Sequence, residues 1–214
     1  MLELVPLFAG LNEQDLAKLE NGATVRNYPR NTVIIHQGDE SNNLYVILSG
    51  RVKVYLGSED GREIILDFLD TDDAFGELAL IDGERRSASV MTTEESRIAM
   101  LPQRHFLECL RSHPDISINL MRTLTGRIRS MAGQVENLAL LDVYGRIARE
   151  LMKQSEAMPD GRRITQVITH QDLANLVGSS REMVTKILND LKRGGYIDID
   201  KHRIIICNHL PARW

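Results

Sequence analysis

From about Ala23 to Met100 the chain holds no apolar pattern for long before a turn cuts it. Thr32-Val-Ile-Ile-His36, Leu44-Tyr-Val-Ile-Leu48, Arg51-Val-Lys-Val-Tyr55 and Glu63-Ile-Ile-Leu-Asp-Phe68 are short runs rich in β-branched and aromatic residues. Turns at Gly38-Asp39, Ser49-Gly50 and Asp60-Gly61 separate them. A helix needs a longer unbroken stripe, whereas strands this short and this regularly punctuated close into a small antiparallel barrel or roll. Ahead of them, Asn12 with Asp15 marks a helix start, and Leu16 and Leu19 give that helix apolar positions.

The texture then changes. Pro102 to Leu110 reads as a helix, and Asp115 opens a long one. Along it Met121, Leu124, Ile128, Met131, Val135 and Leu138 recur at alternating spacings of 3 and 4. That is the pattern of a coiled-coil seam, which fits either a dimer contact or one helix packed on its own domain. Gly126 and Gly133 share one face of this helix, each costing about 1 kcal/mol relative to Ala. Either they are tolerated there or they let a ligand or the barrel approach closely. Asp142 is placed to cap a further helix running through Met152, so a domain boundary falls near 138–142. Ser155 to Arg163, with Pro159-Asp160-Gly161, reads as a polar loop.

Between the strands and the helices lies Phe75-Gly-Glu-Leu-Ala-Leu-Ile-Asp-Gly-Glu-Arg-Arg-Ser-Ala-Ser-Val90. A tight turn at Gly76 into a short helical turn aims the amides of Glu77, Leu78 and Ala79 at an anion. Arg86 adds a charge-assisted contact and Ser87 a hydroxyl donor. Glu77, an acceptor, suits a sugar hydroxyl and would also partner Arg86.

Near the carboxy terminus, Thr169 with Asp172 and Ser179 with Glu182 form two S/T-x-x-D/E helix starts on either side of Gly178. Leu173, Ala174, Leu176 and Val177 pack the first helix, and Met183, Val184, Ile187, Leu188 and Leu191 give the second an apolar stripe. Arg181, Glu182, Thr185 and Lys186 then face outward from its first half, as recognition-helix residues do in a major groove. Arg181 suits guanine O6/N7 and Glu182 the cytosine amino group, whereas Thr169, His170, Gln171 and Ser180 suit phosphates. Tyr196 to Asn208 reads as a β-hairpin or wing.

The charge distribution agrees. Residues 1–142 carry 14 Lys+Arg against 22 Asp+Glu, and residues 143–214 carry 12 against 8, so an acidic part precedes a basic one. The amino terminus lacks the basic and apolar regions of a signal peptide, and no stretch approaches the roughly 18 apolar residues that span a bilayer. Cys109 and Cys207 are far apart and read as free thiols, consistent with a cytoplasmic protein.

Across nearly its full length the chain resembles the cyclic AMP receptor and fumarate–nitrate regulator (CRP/FNR) family. The His36-Gln-Gly-Asp39 and Leu48-Ser-Gly50 turns, the segment 75–90 and Asn137-Leu-Ala-Leu-Leu-Asp142 recur in that pattern, as do Ile168-Thr-His-Gln-Asp-Leu-Ala174 and Ser180-Arg-Glu182. The resemblance implies an α+β fold. Residues 1–112 would form a cyclic-nucleotide-binding β-roll of the double-stranded β-helix (jelly-roll) type. Residues 113–141 would form a long dimerisation helix and hinge, and 142–214 a winged helix-turn-helix that binds DNA. It implies a bacterial homodimer that binds double-stranded DNA and RNA polymerase, with no required cofactor and no membrane partner. The implied allosteric effector is a cyclic nucleotide, cyclic AMP or a relative.

In the family the residues matching Gly76, Glu77, Arg86 and Ser87 hold cyclic AMP, and Leu78 supplies the next amide. Arginine and glutamate at 181 and 182 make base contacts there, as does a basic residue near Lys186. Two departures stand out. Met131 and Ala132 replace the Thr-Ser pair that reads adenine, and the loop from Glu77 to Arg86 is one residue shorter. Phosphate and ribose recognition is retained and adenine recognition is not, leaving open another cyclic nucleotide, weak cyclic AMP binding or a relic pocket. An enzyme is disfavoured, because the six histidines form no close pair at ligand spacing and no Ser/His/Asp or Cys/His set is arguable. An iron–sulfur sensor would need an amino-terminal cysteine cluster, and no residue recommends haem.

Overall fold

A computed structural model describes residues 1–40, 42–58 and 61–211. Ser41, Glu59 and Asp60 lie outside them, and with Asp60 goes half of the expected Asp60-Gly61 turn. The chain divides into two compact units, residues 1–130 and residues 131 onward.

The first unit opens with a 3-10 turn at Pro6–Phe8 and helix α1 (Glu13–Gly22), whose start is fixed as expected: Asn12 Oδ1 accepts from Asp15 N at 2.9 Å. Such a cap is worth about 1 kcal/mol. Strands follow as β1 (Thr24–Tyr28), β2 (Val33–Ile35), β3 (Asn43–Ser49), β4 (Val52–Gly57), β5 (Glu63–Leu69) and β6 (Ala74–Phe75). After the short helix α2 (Leu78–Asp82) come β7 (Ser89–Thr92) and β8 (Ser96–Pro102). They form two antiparallel four-stranded sheets, ordered β1-β8-β3-β6 and β2-β7-β4-β5. One face of these sheets buries Ile35, Tyr45, Ile47, Val52, Leu69, Phe75, Val90 and Ile98 as a core. A second core joins Leu44, Val46 and Leu101 to the amino-terminal Leu2, Val5 and Phe8 and to Phe106 and Ile116. Each such side chain contributes about 1.5–3 kcal/mol by leaving water.

Helix α3 (Gln103–Ser112) and the long α4 (Pro114–Leu140) follow. Proline suits a first helical position because its missing N–H would have had no partner there. Of the seam residues, Leu124 packs on the second core, but Met121, Ile128, Met131, Val135 and Leu138 are exposed. A Cβ at Gly126 or Gly133 would meet nothing within 4 Å.

In the second unit Asp142 caps α5 (Val143–Lys153), its Oδ1 accepting from Gly145 N at 2.7 Å. The expected loop at 155–163 is instead a hairpin: β9 (Ser155–Ala157) pairs with β10 (Arg163–Thr165) across the Pro159-Asp160-Gly161 turn. Helices α6 (His170–Val177) and α7 (Arg181–Arg193) and strands β11 (Ile197–Asp200) and β12 (Arg203–Ile206) complete a winged helix-turn-helix, with sheet order β11-β12-β10-β9. Among the described residues no helix is long and apolar enough to cross a membrane, and both cysteines are free.

Candidate effector site and nucleic-acid interface

The segment 75–90 turns sharply where β6 ends. Gly76 has φ +82°, and a Cβ there would lie 2.5 Å from Arg86 Nη1 and 3.3 Å from the Tyr45 ring. Only glycine adopts that conformation cheaply and lets the arginine approach. The turn leads into α2, so the amides of Leu78 and Ala79 stand in a first helical turn, where a helix supplies no acceptors of its own.

Arg86 is 3% exposed. Its guanidinium donates to Gly76 O and, at 2.7 Å, to Asn43 O, and it lies over the Tyr45 ring. Tyr45 in turn stacks on Phe75 at 5.1 Å. The expected His36–Asp39 turn holds the arginine's backbone: Gly38 N donates to Arg86 O and Arg86 N to Asp39 O. Burial lowers the arginine's pKa from its ordinary value, with Tyr45 and Glu77 acting in the opposite direction.

Glu77 is also buried, but its partner is not Arg86. Its Oε1 accepts from Arg127 Nη1 at 2.6 Å, and Arg127 Nη2 donates to Ala74 O at 2.6 Å. The expected Arg86–Glu77 pair is thus corrected: Arg86 is drawn toward the Gly76 and Asn43 carbonyls, while Arg127 reaches Glu77 from α4. Sequence reasoning missed Arg127, which stands fifty residues from Glu77. A cation flanking the apolar seam on the helix nearest the sensor was the signal available. Leu78 is exposed, and the exposed Ser87 has no hydrogen bond to its hydroxyl among the described residues. Met131 and Ala132 occupy exposed positions of α4 in the second unit.

In the second unit Thr169 caps α6 as expected, its Oγ1 accepting from Asp172 N at 3.0 Å. The cap of α7 is Ser180 rather than Ser179: its Oγ accepts from Met183 N at 3.2 Å. Both caps use the hydroxyl oxygen as acceptor; the Thr169 hydroxyl also donates to Asp172 Oδ2 at 2.6 Å, whereas the cap leaves the Ser180 O–H as a donor. Val184, Ile187, Leu188 and Leu191 are buried, but Met183 is exposed and leaves the expected stripe.

Arg181, Glu182 and Lys186 are exposed, and among the described residues their side chains make no ion pair or hydrogen bond. Thr185 and His170 face each other instead, His170 Nδ1 lying 2.9 Å from Thr185 Oγ1 and tying α6 to α7. Burial, with Arg181 and His202 nearby, holds the His170 imidazole below its ordinary pKa. Gln171 bonds Asn175. Three exposed side chains thus stand on the first turns of α7.

Residues 25–113 match the family model of the cyclic nucleotide-binding domain, and residues 145–209 match the Crp-like helix-turn-helix domain. The chain is 37% identical over 188 residues to the cAMP-activated global transcriptional regulator CRP of Pasteurella multocida, spanning 85% of this chain and 89% of that protein. The chain belongs to the CRP/FNR family. A second relative, the CRP-like cAMP-activated global transcriptional regulator of Mycobacterium tuberculosis, is 30% identical over 204 residues, 94% of this chain and 91% of that one. The c-di-GMP responsive global regulator CLP of Xanthomonas campestris superposes with a TM-score of 0.80 at 25% identity, covering 92% of this chain and all of that structure. This CRP/FNR member is therefore a DNA-binding transcription regulator carrying a cyclic-nucleotide-binding domain, and not an enzyme.

Proposed function

We propose that this regulator senses a cyclic nucleotide, cyclic AMP or a relative, in its amino-terminal roll and reads a palindromic operator as a homodimer in the cytoplasm. The observation that carries this reading is the pair of buried charges at the Gly76 turn. Arg86 offers a desolvated cation and Glu77, steadied by Arg127, offers an acceptor. A phosphodiester next to a 2′-hydroxyl needs both. Gly76, Leu78 and Ser87 complete the phosphate side, and Met131 and Ala132, without strong hydrogen-bonding groups, leave base recognition to other residues.

Arg86 must exchange its carbonyl partners for the phosphodiester. A ligand that binds the DNA-competent state more tightly then shifts the population, through residues 126–142. Exposed Met121, Ile128, Met131, Val135 and Leu138 support a dimer seam on α4. Two α7 helices would meet half-sites about 34 Å apart. Arg181, Glu182 and Lys186 would read bases, with Thr185 beside them, and Thr169, His170, Gln171 and Ser180 would border phosphates. RNA polymerase is the partner the family likeness adds.

Calorimetric titration with cyclic AMP tests the effector site. Saturable heat that Arg86→Ala abolishes supports it. Two observations favour other readings. The carbonyl bonds of Arg86 also suit a structural strut in a ligand-independent regulator, and the c-di-GMP responsiveness of the Xanthomonas protein favours a cyclic dinucleotide. Absence of heat with cyclic AMP at two temperatures, followed by titration with c-di-GMP, separates them.

A further inference from the structure

Where the turn of the wing meets α6, two imidazoles stand close to α7. Strands β11 and β12 are joined by Lys201 and His202 alone, because Asp200 pairs directly with Arg203. Both turn residues hold positive φ, 45° and 66°, a conformation that glycine or asparagine adopts at lower cost. The turn is tied to the chain just before α6, Ile168 N donating to His202 O at 2.9 Å. Lys201, His202 and Arg203 are exposed, and among the described residues their side chains make no ion pair or hydrogen bond.

His170, the first residue of α6, completes the group. Its Nδ1 meets Thr185 Oγ1 of α7, and its Nε2 has no hydrogen-bond partner among the described residues. Burial first, then Arg181 of α7 and His202 of the turn, keep the ring's pKa below its ordinary value, so the free protein holds it neutral. Glu182 and Lys186 stand exposed on the same turns of α7, and on α6 itself Asp172 accepts from the Thr169 hydroxyl. Three elements thus bring two imidazoles and a guanidinium within electrostatic range of one another, which an anion would relieve. A duplex lying along α7 supplies a phosphodiester at every step. A phosphate beside an imidazole favours its charged form and offsets the repulsion from Arg181. We propose that His170 and His202 together hold a DNA phosphate and take up a proton in doing so, so that DNA affinity rises as pH falls. The inference rests on α7 being the DNA-reading helix.

Fluorescence anisotropy of a labelled mixed-sequence duplex at low salt tests it, with the full-length chain at about pH 6 and about pH 8, on either side of the ordinary histidine pKa. Wild type should bind roughly 10-fold more tightly at the lower pH, with a steeper salt dependence because one more phosphate charge is neutralised. The double variant His170→Gln/His202→Gln should lose most of that difference. His170→Arg, charged at both pH values, should bind at the higher pH about as tightly as wild type does at the lower one. Equal wild-type affinity at the two pH values overturns the proposal, as does a pH difference that the double variant keeps in full. If the wild type binds the duplex at neither pH, the assignment of α7 as the DNA reader fails, and the proton linkage with it.

Discussion

At the scale of single residues, two positions carry consequences that packing alone would not give them. Gly76 is held at a left-handed φ with Arg86 against the space a Cβ would occupy. Gly76→Ala is expected to destabilise the sensor by about 1–3 kcal/mol and to weaken nucleotide binding. Urea unfolding reads the first effect and calorimetry the second. His170 is the other. Burial foremost, then Arg181 and His202, keeps its folded pKa below the ordinary 6.5. The unfolded chain therefore takes up the proton first on acidification. The neutral ring's contribution is complete above that value and is lost as pH falls through it toward the folded pKa. Melting temperature should drop between about pH 7.5 and about pH 5.5, and His170→Gln should flatten the drop.

At the scale of elements, Arg146 of α5 joins the end of α6 to the segment just after α4. Arg146 Nε donates to Val177 O at 2.7 Å, the last carbonyl of α6, and Nη1 donates to Leu141 O at 3.0 Å. Leu138 approaches the turn as well, its methyl 3.2 Å from where a Cβ on Gly178 would stand. Arg146→Ala strands both carbonyls. It should cost about 1–3 kcal/mol in urea unfolding, with Arg146→Lys recovering only part because it lacks the fork.

Much of this architecture was legible in sequence because it rests on local chemistry. Asn12, Asp142 and Thr169 announce their helices through their own side chains, and the strands of the roll are bounded by glycine turns. What escaped depends on distance or on small offsets. Two adjacent serines made the α7 cap ambiguous by one residue. The β9–β10 strands are three residues each, too short to show alternation. Gly76, Glu77 and Arg86 were legible as one candidate segment, but their partners were not, because nothing local sends Glu77 to Arg127 or Arg86 to Asn43.

At the scale of the whole molecule, an acidic sensor precedes a basic DNA reader, and α4 presents unpartnered apolar side chains. Ile128 is 67% exposed, a costly position for a large apolar residue unless a second copy covers it. Ile128→Glu is expected to convert a dimer to a monomer in sedimentation velocity without lowering nucleotide affinity. An unchanged mass would place the dimer contact elsewhere. The measurement that bears most directly on effector gating is fluorescence anisotropy of a labelled palindromic duplex, with and without saturating cyclic nucleotide, on the wild type and Arg86→Ala. Nucleotide should tighten wild-type DNA binding by roughly 5- to 150-fold, the range of typical allosteric couplings, and leave Arg86→Ala unchanged. Equal DNA affinity with and without a nucleotide that demonstrably binds would contradict an effector-gated regulator.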